Sequence, residues 1–592
     1  MYYPTLPPRQ TQRDVVGTFL GYNHNMRIGS GEFYDMENMS SNLFPLLSPR
    51  GQRGFYTGGS AIRAMVAKDQ LCYVDGSYFV IGSSRYNMGL SPADKQLISM
   101  GAYVIILPDR KYINTVQPEE RGDIDAKMTT TGPVTFSLCQ INGSPYDITH
   151  TSDKEPEDLK SAKYWLDTGS KPNALKKYST ASGMWVSIAT TYIKITAQGI
   201  GKQFQEGDGV EISGLKDTPL INHDGGGQIE DADIQAIDGN FLIRQKGDDY
   251  IIITGMLGTS RTLDNPVTVS RQMPLMDLCV ESGNRLWGCR YGQNAKGETV
   301  NELYASKLGD FKNWNCFAGV STDSYIASCG TDGPFTGAIT HLGMPLFFKE
   351  ECLHKVYGSM PANFTIQSTA CRGVQRGSEK SLAIVGETLF YKSRMGVCAY
   401  DGSLPVEISQ ALGENLYSQA VGGSHGSKYY ICMRDSGGKP HLFVYDASRN
   451  LWHKEDNLDA AAFCSYGNDM YVLDRADGQI KTLCGSGALD NSPVHWMVET
   501  GILGADLPDR KYISRIQFRV QLELESTVHV YIDYDSEQAW HFVCTMRGTR
   551  LGSFDIPIQP KRCDHFRLRI QGEGMAKIFS YSKTISQGSG NR

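Results

Sequence analysis

One short pattern recurs through the middle of this chain: a glycine, two variable residues, an apolar or aromatic residue, then an aromatic. It reads Gly283-Asn284-Arg285-Leu286-Trp287, then Gly343-Met344-Pro345-Leu346-Phe347, then Gly386-Glu387-Thr388-Leu389-Phe390. It returns as Gly426-Ser427-Lys428-Tyr429-Tyr430 and as Gly467-Asn468-Asp469-Met470-Tyr471. The first interval is about 60 residues and the later ones about 40, close to the period of a propeller blade. A second beat follows: Val356-Tyr357-Gly358, Ala399-Tyr400-Asp401-Gly402 and Val444-Tyr445-Asp446. Glycine supplies a tight turn, the apolar-aromatic pair makes a buried inner strand, and Asp-Gly closes a hairpin to the next strand. The spacing predicts an all-β chain built on a β-propeller.

The composition agrees. A chain of 592 residues with 63 glycines, 31 tyrosines, 22 phenylalanines and 21% charged residues suits a turn-rich all-β protein. That length predicts roughly three or four domains. A net charge of −6 leaves no basic footprint for gripping nucleic-acid phosphates. No apolar run approaches the roughly 20 residues that span a bilayer, and the Met1-Tyr2-Tyr3-Pro4 start has no apolar stretch of a signal peptide. The 14 cysteines are scattered singly without a Cys-x-x-Cys pair, as in Leu71-Cys72-Tyr73 and Ile431-Cys432-Met433. They read as small buried hydrophobes of a reducing compartment rather than as a disulfide framework or zinc cluster.

Taken in order, residues 1–60 read as an extended N-terminal arm lying across the first blades, too rich in proline and glycine for a core of its own. Residues 61–115 hold the first propeller strands, with Asp75-Gly76 as the hairpin turn. Residues 116–275 break the period and read as an inserted small, barrel-like β domain; the propeller resumes over 276–485. The alternation of Ile513–Leu524, Val528–Asp535 and Phe566–Ile570 predicts a C-terminal β-sandwich over 486–585, followed by a flexible tail at 586–592. The heptapeptide Leu-Pro-Asp-Arg-Lys-Tyr-Ile stands at both 107–113 and 507–513, each time leading from a turn into a strand.

Candidate chemistry is sparse. Asp533 and Asp535 share one face of a strand with His529, the solvated face opposite Val528, Val530, Ile532 and Tyr534. Glu230, Asp231 and Asp233 are calcium ligands by type but lack EF-hand spacing, and Asp224-Gly225-Gly226-Gly227 precedes no helix that would make it a phosphate cradle. Gly422-Gly423-Ser424-His425-Gly426 matches Gly-x-Ser-x-Gly, yet Lys428–Met433 after it reads as a strand where a nucleophile elbow needs a helix. His495 beside Trp496 reads as a packed aromatic neighbour. The expectation is a protein without catalytic, metal or cofactor sites. A propeller glycosidase stays open beside it, because its carboxylates come from different blades and leave no local signature.

The arm sequence Asn38-Met39-Ser40-Ser41-Asn42-Leu43-Phe44-Pro45-Leu46-Leu47-Ser48-Pro49-Arg50-Gly51 resembles the opening of bacteriophage tail nozzle proteins of the tail tubular protein B type, which are similar to phage packaged-DNA stabilisation proteins. Leu303-Tyr304-Ala305-Ser306 followed by Gly309-Asp310 and Asn313-Trp314 resembles the blade signature of such propellers. The resemblance implies a structural tail component in a six-fold homo-oligomeric ring around the DNA ejection channel. It implies the tail adaptor and tail fibres as partners, double-stranded DNA passing without sequence-specific binding, and a place in the virion after assembly in bacterial cytoplasm. The alternative is a carbohydrate-binding or glycan-cleaving propeller tail protein, distinguished by convergent carboxylates and arginines around one pocket.

Overall fold

The computed structural model describes residues 11–59, 61–157, 163–485, 488–489, 493–506, 510–559 and 561–587. It is an all-β protein: a β-propeller, an inserted β domain and a C-terminal β-sandwich.

Seven sheets make the propeller. Their innermost strands are Ile62–Ala67, Gln96–Met100, Leu278–Ser282, Gly337–His341, Ala383–Val385, Ser418–His425 and Ala460–Tyr466. Neighbouring innermost strands contact one another around the axis, the fourth and fifth through the turn Glu379–Ser381, and the seventh returns to the first. The glycine pattern falls at the turn between the first and second strand of a blade. The φ values of Gly283, Gly343, Gly386, Gly426 and Gly467 lie between 57° and 74°, a region in which a side chain is disfavoured. The apolar-aromatic pair therefore sits on the second strand from the axis of each blade. Leu286, Leu346, Phe347, Leu389, Tyr429 and Met470 there are fully buried. A strand packed between two neighbouring blades is covered on both faces, which is why two consecutive positions are apolar instead of alternating.

The inserted strands run from Ala126–Thr129 to Thr268–Arg271. They form two four-stranded sheets, a five-stranded sheet and a two-stranded one; the four-stranded sheet that holds Thr268–Arg271 and the five-stranded sheet share a core around Phe136, Ile195, Phe204, Ile251 and Leu263. Among the described residues the two sheets that share this core are open rather than the barrel-like unit expected. The strands Met184–Ser187 and Tyr192–Thr196, adjacent in sequence, belong to different sheets. The insertion is tied to the third blade where Asn313 Nδ2 donates to Asp208 Oδ1 at 2.9 Å and Gly209 N donates to Asn313 Oδ1 at 2.9 Å.

The N-terminal segment differs most from expectation. It does not lie across the first blades. Thr11–Val16 pairs with Ala576–Gln587 in one sheet of the sandwich, and Glu32–Glu37 pairs with His495–Thr500 in the other. Gly54–Gly58 then pairs with Gln479–Thr482 and supplies the fourth strand of the seventh blade. The arm lacks a core of its own, so its apolar side chains must be covered elsewhere. Phe19, Tyr22, Phe33 and Met36 join Val498, Phe518, Val530 and Tyr581 of the sandwich and Phe390, Tyr429, Phe443 and Trp452 of the propeller in one continuous core. Residues 586–592 were expected to be a tail; the final strand Ala576–Gln587 reaches into that range, and 588–592 lie outside the described residues.

Candidate binding site on the propeller axis

A cavity of about 460 Å³ opens on the axis where the innermost strands begin. All seven blades line it, through short segments around Arg63, Asp94, Asp277, Ala338, Glu379, Val421 and Phe463. Three of the innermost strands break register here, between Ile62 and Ala64, Ser418 and Val421, and Ala460 and Ala462. Gln419 takes a φ of 50° within the second of these. Such bulges kink a strand and re-aim its side chains, and they gather at functional sites.

The charged groups at the rim divide into two kinds. Lys95 points away from the cavity: its fully buried ammonium donates to Ser91 Oγ at 2.7 Å and pairs with Asp109. Burial pushes the Asp109 carboxyl up, but Lys95 and the Ser91 backbone N–H outweigh it and hold the group below the ordinary carboxylate range. Asp277 is likewise committed, to Arg290 and to the Tyr291 N–H at 2.8 Å. The groups left open to the cavity are Arg63, Asp94, Glu379 and Lys380. Lys380 Nζ stands 4.0 Å from Asp94 Oδ2, whose side chain is 85% exposed. Among the described residues, Arg63 and Glu379 carry neither an ion pair nor a side-chain hydrogen bond, and Arg63 Nε is buried without an acceptor. Gln96 clamps the second blade to the third beneath them, donating to Cys279 O at 2.7 Å and accepting from Cys279 N at 3.1 Å. Leu97, Leu278, Val421 and Phe463 give the cavity an apolar wall. The result is a polar rim of both signs over an apolar floor, suited to a small ligand that carries several hydrogen-bonding groups.

The residues singled out by sequence lie elsewhere. Asp533 is fully buried, correcting its expected place on a solvated face. Its Oδ2 accepts from Arg567 Nη2 at 2.7 Å, and the two residues are cross-strand partners. Asp535 is exposed at a positive φ of 52° and its Oδ1 accepts from Asp564 N at 2.7 Å. Asp231 caps the one-turn helix Ala232–Gln235, and Asp233 Oδ2 accepts from Gly258 N at 2.7 Å. Asp224–Gly227 lies between the paired strands Leu220–Ile221 and Gln228–Ile229. Ser424 sits at the end of Ser418–His425, followed by a turn and the strand Lys428–Arg434. His495 is exposed, 3.8 Å from Glu573, while Trp496 beside it is buried. In the first heptapeptide Asp109 holds Lys95, and Arg110 pairs with Asp125 at 2.8 Å. The second heptapeptide begins outside the described residues.

No family model matches the chain, and no curated protein matches it. Among solved structures it is similar to an exo-beta-1,3-galactanase from Phanerochaete chrysosporium with galactose, at 9% identity and a TM-score of 0.19, over 52% of this chain and 94% of that one. A GH43 glycoside hydrolase with endo-xylanase and exo-arabinofuranosidase activity matches at 9% identity and a TM-score of 0.18, over 54% and 100%. A Trypanosoma rangeli sialidase in complex with a difluoro-KDN matches at 8% identity and a TM-score of 0.20, over 97% and 95%. The expectation of a chain without catalytic activity runs against these matches, which are to enzymes acting on glycans. At such identities the likeness concerns the fold, and no residue role passes from them to this chain.

Proposed function

We propose that this chain is a glycan-recognising propeller protein with its ligand seated on the axis. The observation that carries the reading is the convergence of Arg63, Asp94, Glu379 and Lys380, from three separate places in the sequence, on one cavity with an apolar floor. A sugar offers vicinal hydroxyls, which a carboxylate accepts from in pairs, and a C–H face, which Phe463 and the leucines can cover. The volume lies within the range of about 300–1,000 Å³ usual for small-ligand sites. Hydrolysis within this reading falls to Asp94 and Glu379, the two carboxylates open to the cavity, as an acid and base pair. The test is calorimetry on a panel of bacterial wall and capsule oligosaccharides, with release of reducing ends followed in parallel. The expected result is binding by the native chain that falls about tenfold or more in D94N and E379Q; any turnover should fall by about 10²–10⁴. Absence of binding across the panel, or variants that bind as the native chain does, overturns the reading.

A second reading is a structural component of a phage tail, resting on the sequence resemblance and on what its motif residues do. Arg50 Nε donates to Asn38 Oδ1 at 2.8 Å, and Asn38 Nδ2 donates to His495 O at 2.7 Å. Arg50 Nη2 also reaches Asp456 Oδ2 at 3.4 Å. The motif thus joins arm, sixth blade and sandwich, as a recurrent fold signature would. The two readings are compatible in a tail protein that grips a host glycan. Locating the chain in an electron-microscopy map of particles tests the second, and a purified chain that remains monomeric at all concentrations speaks against the ring.

A further inference from the structure

We infer that the axial site selects sugars bearing a carboxylate, with Arg63 as the residue that anchors it. This inference rests on the glycan reading above and narrows it to one class of ligand.

Few charges of the cavity remain available to a ligand. Of the cations that line the cavity, Lys95 is sealed below the rim by Asp109 and Ser91, and Lys380 faces Asp94 at 4.0 Å. Arg63 alone has no counter-charge among the described residues, and its Nε is buried without an acceptor. Its guanidinium is therefore the cation of the cavity that no protein acceptor already holds among the described residues. The backbone explains why the side chain is there. Register is lost between Ile62 and Ala64, which places Arg63 at a bulge of the innermost strand, aimed at the axis instead of into a blade interface. No structural role within the blade accounts for it.

Ligand chemistry follows from the group. A guanidinium presents two parallel N–H donors in a fixed fork, and a carboxylate is the acceptor whose geometry it matches. A neutral hydroxyl satisfies at most one of them. Asp94 and Glu379 would repel a second anionic group nearby, so the ligand carries its carboxylate at the Arg63 end and hydroxyls toward the two acids. An acidic monosaccharide unit has that asymmetry; a neutral sugar or a polyanion such as an oligophosphate lacks it.

The experiment compares oligogalacturonate with neutral oligogalactose of equal length by calorimetry, on the native chain, R63K and R63Q. The native chain should bind the acidic oligomer at least tenfold more tightly than the neutral one. R63Q should lose that preference, so that the acidic and neutral oligomers bind it alike. R63K keeps the charge without the fork and should fall between. Because Arg63 makes no internal ion pair, the melting temperature of both variants should match the native chain, which separates lost recognition from lost folding. Equal affinity for the two oligomers, or a preference that survives in R63Q, overturns the inference while leaving the glycan reading standing. Binding of neither oligomer overturns the inference outright, and the wider oligosaccharide panel then decides the glycan reading.

Discussion

Asp533 shows at the scale of one residue what alternation can and cannot reveal. The pattern correctly turns Val528, Val530 and Ile532 inward, and by the same rule turns Asp533 outward. Outward is not solvated here: the cross-strand neighbour is Arg567, and the Trp540 ring lies over Arg567 and Arg569 at 5.4 and 4.1 Å. Neither the register of the partner strand nor the fold-back of a loop is written in the strand itself. Removing one member of a buried pair strands the other, so D533A should cost about 3–5 kcal/mol in a thermal or urea melt; a loss below about 1 kcal/mol would return the residue to a solvated face. Two histidines carry a pH signature. Burial, with Lys349 nearby, lowers His354 to about 4, and burial with Lys428 lowers His453 to about 3. Both imidazoles are neutral in the fold, whereas an unfolded one titrates near 6.5. Above that pH they contribute no dependence. As the pH falls from about 6.5 the unfolded chain takes up protons that the folded one refuses, so stability drops until about pH 4 for His354 and about pH 3 for His453. The loss between pH 6.5 and 5 should be about 2 kcal/mol for each. Urea midpoints across that window should fall, and H354N should flatten the slope by about half.

At the scale of the element, the glycine pattern was legible because one turn geometry recurs, and the turn demands a positive φ. Which strand of the blade carries it was not legible, because periodicity reports burial and not distance from the axis. Two blades escaped the pattern. The second has Gly101 followed by Val104-Ile105, without an aromatic, and the first turns through Lys68-Asp69-Gln70 with no glycine. The outer strand of the seventh blade was illegible for another reason. Gly54-Phe55-Tyr56-Thr57-Gly58 is short and flanked by glycine, and its partner Gln479–Thr482 is remote in sequence. Phe390 gives a test of the repeat. It is 3% exposed on a second strand and stacks on Tyr429 with centroids 5.3 Å apart. F390A should cost about 3–5 kcal/mol, read as a lower melting temperature; a change within about 0.5 kcal/mol would mean the strand faces solvent.

At the scale of the whole molecule, the arm is the joint. Four charges gather where arm, sixth blade and sandwich meet: Arg50 and Arg53 against Glu455 and Asp456. Burial raises the Asp456 carboxyl, and the arginines outweigh it and hold the group below its ordinary range. The arm's aromatic residues pointed to burial from sequence, but their partner could not be read, since the surface that covers them is assembled from residues some 400 positions later. The axial site was illegible on the same ground: Arg63, Asp94 and Glu379 share no local motif and meet only once the ring has formed. Deleting residues 1–58 removes three strands of the sandwich sheets, Thr11–Val16, Gly21–Tyr22 and Glu32–Glu37, and the closing strand of the seventh blade. The truncated chain should therefore be recovered unfolded or aggregated rather than folded and merely unable to assemble; a monomeric product with native far-UV circular dichroism would show the arm to be dispensable.

The closing strand also sets a timetable. Gly54–Gly58 leaves the ribosome early, and Gln479–Thr482 follows about 420 residues later. At about 5–20 residues per second, translation leaves the strand without its partner for roughly 20–80 s. Throughout that interval Phe19, Tyr22 and Phe33 have no sandwich to enter, and the growing arc of blades has no neighbour at either end. The nascent chain is thus exposed for longest at its stickiest segment, and cellular yield should depend on elongation rate and chaperone supply more than on the stability of the finished ring. A rearranged chain that begins at Ile62 and carries residues 1–61 between Thr482 and the sandwich shortens the wait to seconds, and should raise the soluble fraction made at 37 °C without changing the melting temperature.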